Sequence, residues 1–268
     1  MYFCAFGTNL QQMSKIAFIT GATSGIGEAS ARKFAAEGWH LIITGRRSDR
    51  LNTLKEDLST RYNTQVLTLT FDVRKLQEVK DAISTLNDNW KEIDLLINNA
   101  GLAVGRGPIH EGIYDDWERM IDTNIKGLLY VTRELTPIMI ANKKGHIINI
   151  GSLAGHEAYG DGNVYCGTKH AVIAMSRAMR IDLVKYGIKV SVVSPGATET
   201  EFSLVRYKGD KAIADKTYAG YQPLTSEDVA ESVYFIANQP KHVNIEEIFL
   251  LPTAQATTNI IHRENGTK

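Results

Sequence analysis

Thr20-Gly21-Ala22-Thr23-Ser24-Gly25-Ile26-Gly27 is the stretch on which the fold turns. It follows a continuously apolar run, Ile16-Ala17-Phe18-Ile19, and leads into a helical pattern over 25–38. Its glycines are spaced Gly-x3-Gly-x-Gly between strand and helix. There the free N–H groups at a helix N-terminus can hold a pyrophosphate. Glycine lets the chain turn sharply and lets a ligand touch the backbone. A tight strand-to-helix turn without a ligand is the other reading, and the strand–turn–helix setting weighs against it. Gly21, Thr23, Ser24, Gly25, Ile26 and Gly27 are the candidate phosphate contacts.

Outward from this turn, strand-length apolar runs at 15–20, 40–44, 65–70, 93–98, 145–150, 188–194 and 246–251 alternate with longer amphipathic stretches. The latter fall at 25–38, 48–61, 76–87, 114–142, 163–186 and 226–239, with Pro137 expected to bend the fourth. Strands apolar throughout are expected when helices cover both faces of a parallel sheet. The pattern predicts an α/β fold of the Rossmann type, a doubly wound parallel sheet of about seven strands. The polar segment 198–221 breaks the alternation and is expected to be irregular, in the manner of a substrate lid. Residues 1–13 read as an extension, with Met13 a second candidate start, and 14–268 as a single dinucleotide-binding and catalytic domain; 268 residues suit one large α/β unit.

Lys plus Arg and Asp plus Glu each total 30, so the formal net charge is zero and nothing suggests a nucleic-acid or membrane surface. No apolar stretch is long enough to span a bilayer, and the start lacks a basic region followed by an apolar run. Cys4 and Cys166 make no disulfide framework, so a reducing, cytoplasmic setting is expected and Asn265-Gly266-Thr267 is discounted as a glycosylation site. No metal ligand is assigned.

The second strand ends Thr44-Gly45-Arg46-Arg47, without the acid that usually holds ribose hydroxyls there. A guanidinium fork suits a 2′-phosphate, so Arg46 and Arg47 favour NADP over NAD, against the plainer reading of two solvated arginines. Asp72-Val73 follow the third strand, where an acid can accept from the adenine amino group or simply cap a helix. Asn99, Ala100 and Gly101 follow the fourth and can run backbone beside a cofactor, or merely turn.

Tyr165 and Lys169, four apart on a predicted helix, share a face. Chance alone supplies about 0.7 Tyr-x3-Lys pairs in such a chain, and a second pair exists at Tyr207 and Lys211. Position separates them. Tyr165 follows the fifth strand and its strand-end Ser152, where a doubly wound sheet opens its crevice. Carbonyl reduction needs a hydride and a proton, and a phenol serves only if its pKa of about 10 falls toward neutrality. An ammonium about 4 Å away supplies a shift of that size at an effective dielectric of about 20. Ser152 is placed to hydrogen-bond the substrate oxygen. Asn124 is read either as holding a water that links Lys169 to solvent or as a polar residue kinking its helix.

Together these stretches resemble the short-chain dehydrogenase/reductase family over about residues 14–252. The resemblance implies that Asn124, Ser152, Tyr165 and Lys169 form the catalytic set. It also implies that Pro195, Gly196, Thr198 and Thr200 lie at the nicotinamide carboxamide. More narrowly, the run from Pro195-Gly196-Ala197-Thr198-Glu199-Thr200 to Asp210 and the ending Ile245 to Gln255 are similar to NADP-dependent 3-hydroxy acid dehydrogenases, also called serine or L-allo-threonine dehydrogenases. That likeness implies a small 3-hydroxy acid substrate and a homotetramer, and it makes Arg206 the candidate partner of a substrate carboxylate. A reductase of longer ketones or 3-oxoacyl chains, and a non-catalytic nucleotide-binding protein on the same fold, are the alternatives.

Overall fold

The computed structural model describes residues 14–264. The extension 1–13, with Cys4 and Met13, and the run Asn265-Gly266-Thr267 lie outside the described residues. Seven strands form one sheet: β1 (Ile16–Ile19), β2 (His40–Gly45), β3 (Val66–Thr70), β4 (Ile93–Asn98), β5 (His146–Ile150), β6 (Lys189–Pro195) and β7 (Glu247–Leu250). All pairings are parallel, in the order β3-β2-β1-β4-β5-β6-β7. The helices are α1 (Gly25–Ala36), α2 (Ser48–Tyr62), α3 (Leu76–Ser84), α4 (Tyr114–Ile121), α5 (Leu128–Ala141), α6 (Asn163–Leu183), α7 (Glu201–Arg206), α8 (Lys211–Lys216) and α9 (Ser226–Ala237).

β1 shows why the strands read as unbroken apolar runs. Its four residues are all buried, and a period of two sends alternate side chains to opposite faces. Ala17 and Ile19 join Leu41, Ile43 and Ile97 against Phe34 of α1, Leu51 and Leu58 of α2, and Val229 and Val233 of α9. Ile16 and Phe18 join Ile42, Leu96 and Ile147 against Val79 of α3, Val131 and Leu135 of α5, and Leu183 of α6. The order in which successive strands are added reverses between β1 and β4, and the crevice that opens there positions the site.

Two expectations need correction. The stretch 114–142 is helical without a break from Tyr114 to Ala141, but its irregularity is a π-helical turn, Asp122–Gly127, between α4 and α5, with Pro137 inside α5. The distortion centres on Asn124, which lies in the π turn. Its side chain is buried, accepts from Leu102 N (2.9 Å), and donates to Leu102 O (2.8 Å) and Thr168 Oγ1 (3.0 Å). These bonds to another segment fasten the wide turn, and such turns favour functional sites. Segment 198–221 is also not irregular throughout. Thr200 caps α7 through Phe202 N, and Asp210 caps α8 through Ile213 N. Six residues apiece are too few to show a helical period in sequence.

Candidate active site

The phosphate turn is closed by contacts that only glycine permits. Gly21 has φ +67°, and a Cβ there would lie 2.9 Å from Ala100 Cα. At Gly27 a Cβ would meet Gly21 O at 2.4 Å, so this glycine brings α1 against the turn. The Asn99 side chain braces the turn from beneath, donating to Thr20 O (2.9 Å) and Gly21 O (3.1 Å). Thr20 Oγ1 accepts from the backbone of Asn99 and Ala100 at 3.0 Å each. Ser24 makes no side-chain cap to α1, so the first N–H groups of that helix face the crevice without helical partners.

The crevice is a cavity of about 490 Å³. Of the residues singled out from the sequence, all but Gly27 and Asn124 line it: Gly21, Thr23–Ile26, Arg46, Arg47, Asp72, Val73, Asn99–Gly101, Ser152, Tyr165, Lys169, Pro195, Gly196, Thr198, Thr200 and Arg206. Arg47 folds over the phosphate turn, donating to Thr23 Oγ1 (2.7 Å) and Ser24 Oγ (2.8 Å). Asp72 is gripped by Arg74, with contacts of 2.6–3.0 Å, and that hold keeps its carboxyl below its ordinary range despite burial.

Beneath the catalytic end runs a buried polar chain. Asn98 Nδ2 donates to Thr132 Oγ1 and Asn149 Oδ1 at 2.9 Å each, and Asn149 Nδ2 donates to Ser176 Oγ at 2.8 Å. It ties β4, β5, α5 and α6 together under the platform that carries Ser152 and Tyr165. Tyr165 is 8% exposed and Lys169 7%. Lys169 Nζ donates to Ile150 O (2.9 Å), and burial brings its pKa down to about 8. Burial pushes the Tyr165 phenol above its ordinary value and Tyr159 adds to this, while the Ser152 hydroxyl and the Arg206 guanidinium pull the other way without reversing it. The sequence argument expects a lowered phenol. The difference is physical: burial strips hydration from the phenolate as well as from the ammonium, and Lys169 spends a hydrogen bond on a backbone carbonyl.

Arg206, at the C-terminal end of α7, lies over two rings, 5.3 Å from the Tyr159 centroid and 5.6 Å from that of Tyr165. It donates to the Tyr159 hydroxyl at 2.7 Å, and its Nε is buried with no acceptor. Among the described residues no carboxylate forms an ion pair with it.

Residues 15–209 match the profile of the short chain dehydrogenases. The chain belongs to that family. It is 45% identical over 250 residues to the NADP-dependent 3-hydroxy acid dehydrogenase of Salmonella typhi, covering 92% of this chain and 99% of that protein. It is 42% identical to the serine 3-dehydrogenase of Agrobacterium fabrum over 254 residues, covering 94% of this chain and all of that one. Among solved structures, the closed form of a serine dehydrogenase complexed with NADP⁺ superposes with a TM-score of 0.87 at 44% identity, covering 92% of this chain and 99% of the other.

Within this dehydrogenase fold several lining residues escaped the sequence reading. Tyr159, Glu201, Phe202, Tyr218, Thr258, Asn259 and Ile261 all face the cavity. Gln255 does so too, and its Oε1 accepts from Ala197 N at 2.8 Å, holding the backbone beside Gly196. The sequence signals for this group are the family-like run from Pro195 to Asp210, which contains Glu201 and Phe202, and the family-like ending, which stops at Gln255. The rival pair Tyr207 and Lys211 falls apart: Tyr207 ends α7, whereas Lys211 begins α8 and pairs with Asp215 at 2.8 Å.

Proposed function

We propose that the chain is an NADP-dependent oxidoreductase that oxidises the hydroxyl of a short 3-hydroxy acid such as L-serine or L-allo-threonine, or reduces the matching carbonyl. The observation that carries this reading is Arg206. A mostly buried guanidinium beside the candidate acid–base group, with an unused Nε and no carboxylate paired with it among the described residues, suits a substrate that brings its own carboxylate. The names of the 42–45% identical relatives support the same substrate class.

The residues fit a dinucleotide. The crowded glycines leave backbone open to a pyrophosphate, and Gly21, Thr23, Ser24, Gly25 and Ile26 would hold it. Arg46 and Arg47 would meet a 2′-phosphate, Asp72 and Val73 the adenine side, and Asn99, Ala100 and Gly101 the ribose side. Pro195, Gly196, Thr198 and Thr200 would border the carboxamide. When bound, nicotinamide exchanges the hydride and in its oxidised form adds positive charge beside the phenol. Tyr165 takes the proton from the substrate hydroxyl, or returns it to the carbonyl oxygen. Ser152 donates to that oxygen as negative charge develops on it. Lys169 keeps a cationic field next to the phenol. Asn124 acts on position: its two N–H bonds go to Leu102 O and Thr168 Oγ1 and its Oδ1 accepts from Leu102 N, which leaves one Oδ1 lone pair for a water linking Lys169 to solvent.

Residues 14–268 act as one dinucleotide-binding and catalytic unit in this reading, since the cavity draws on residues from Gly21 to Ile261. We further infer a homotetramer. Among the exposed apolar side chains are Leu129, Ile181 and Val184 on and after α5 and α6, and Phe235 and Phe249 on α9 and β7; if each group formed a self-complementary face, the two together would generate a closed tetramer. A reducing, cytoplasmic setting suits the free thiol of Cys166.

The test is nicotinamide absorbance at mildly alkaline pH. NADP⁺ and NAD⁺ are offered separately with L-serine, L-allo-threonine, 3-hydroxybutyrate and 3-hydroxypropionate. Turnover with NADP⁺ and at least one of these acids is expected. Silence with all four, while NADPH is oxidised by bulkier ketones or 3-oxoacyl thioesters, removes the substrate assignment.

A further inference from the structure

The lid helix α7 is fastened at both ends, and its first fastening belongs to the cofactor side of the crevice. Glu201, the first residue of α7, reaches across to α2 and its N-cap. Its carboxylate takes Arg47 NH1 at 3.0 Å and Arg50 NH1 at 2.8 Å. These two arginines hold the Glu201 carboxyl below its ordinary range, Arg50 foremost. Arg47 is no loose surface partner, because Thr23 and Ser24 of the phosphate turn already fix it. At the far end of α7, Arg206 O accepts from Gly105 N at 3.0 Å. Between the two ends, Phe202 meets the Tyr165 ring at 5.6 Å between centroids. A helix of six residues is a rod of about 9 Å. Seating its N-terminal end therefore helps decide where Arg206 stands at its C-terminal end.

We propose that Glu201 is a positioning residue: by closing on Arg47 and Arg50 it seats the substrate lid against the cofactor's phosphate turn, and so places Arg206 for the substrate carboxylate. This rests on the assignment of Arg206 above. It gives the lid a link, through side chains 154 and 151 positions apart in sequence, to the same turn that carries the dinucleotide. Lid seating and cofactor seating are then linked through Arg47, which Glu201 and the 2′-phosphate would share.

Two readouts test it. Trypsin cleaves after lysines and arginines, and Arg206 at the end of α7, Lys208 just past it and Lys211 at the start of α8 are its sites in the lid. In the ligand-free protein, Glu201→Gln should speed lid cleavage about three- to fivefold, the size expected from losing a half-exposed two-arginine network. In turnover with NADP⁺, the same variant should raise KM for the 3-hydroxy acid by a similar factor and leave kcat within about twofold. Glu201→Asp should recover part of both effects. Arg50→Gln, at a residue assigned no cofactor contact of its own, should add nothing further to Glu201→Gln in a double-mutant cycle. Unchanged cleavage overturns the proposal. So does a fall in kcat at constant KM, or an additive double variant. If the unmodified protein turns over no 3-hydroxy acid, the functional assignment fails by itself, and the cleavage comparison still judges Glu201.

Discussion

Ser152, just past β5, and Tyr165 and Lys169, on α6, stand over a buried chain of amides and hydroxyls from Thr132 through Asn98 and Asn149 to Ser176. Arg206 stands on a six-residue helix held by Glu201 at one end and by Gly105 and Lys208 at the other. The first region is a wall whose members have lost most of their contact with solvent. The second is a lid whose fastenings are half exposed. Reaction chemistry needs fixed geometry and a tuned proton, and the proposed mechanism assigns both to the wall. Entry and release of a small acid need a part that opens at modest cost, which the lid supplies.

The wall predicts the largest effect. Tyr165→Phe keeps the ring packing against Phe202 and removes only the hydroxyl. Turnover should fall by about 10³-fold, within the usual range for an acid–base group. NADP⁺ binding, followed by fluorescence titration, should change by less than about twofold. Substantial residual turnover would mean that the wall does not carry the proton, and the division between wall and lid would collapse.

Next in size comes the lid's own group. Arg206→Leu should raise KM for a 3-hydroxy acid about 10- to 100-fold, the cost of one charge-assisted pair in a partly dry site. The kcat should move far less, because the guanidinium holds the carboxylate and not the reacting carbon. An alcohol of similar size without a carboxylate should show almost no KM change. Equal losses for both substrates would make Arg206 a packing residue above Tyr165 instead.

The two regions were also unequally legible. The wall announces itself in sequence because its strands are long enough to show a pattern and its Tyr165–Lys169 pair sits at a recognisable strand end. The phosphate turn is legible for the same reason: the crowding at Gly21 and Gly27 admits only one residue type. The lid is not. α7 and α8 are too short for a period, and their fastenings join positions far apart in the chain, such as Glu201 with Arg47. The π turn at Asn124 was half legible. A polar residue in a helix can be suspected of distorting it, but the partners Leu102 and Thr168 come from elsewhere in the fold. The raised phenol of Tyr165 was missed because spacing gives proximity and says nothing of lost hydration.

Lys169 sharpens that last point through stability. Burial brings its pKa to about 8 from an ordinary 10.5. Below pH 8 the folded protein carries the buried charge at full cost. Between pH 8 and about 10.5 the folded form sheds its proton while the unfolded form keeps it, so the penalty fades, and stability from this group rises with pH. Lys169→Met should therefore stabilise the fold at pH 7 by roughly 1–3 kcal/mol, after allowing for the lost bond to Ile150 O. The gain should shrink toward zero near pH 10.5. Urea denaturation at the two pH values measures it, and a gain independent of pH would show that the lysine is not held charged at a cost.

The smallest effect belongs to the far end of the lid. Lys208 Nζ pairs with Asp116 Oδ2 at 2.7 Å; the lysine is 47% exposed and the aspartate 7%. Gly105, at φ +71°, lets the loop close on that carboxylate, since a Cβ there would lie 2.4 Å from Oδ2. An open surface groove, lined by Val104 and Leu204 as well as by the pair itself, adjoins the tie. Lys208→Met should raise KM about two- to fourfold and cost about 1 kcal/mol of stability, because the exposed lysine contributes little while the buried carboxylate is left unpaired. Adding Asp116→Asn removes the stranded charge without restoring the tie. The double variant should therefore regain the stability and keep the raised KM. Recovery of both would mean that the pair matters only as a buried charge, and the lid would then depend on Glu201 and Gly105 alone for its seat.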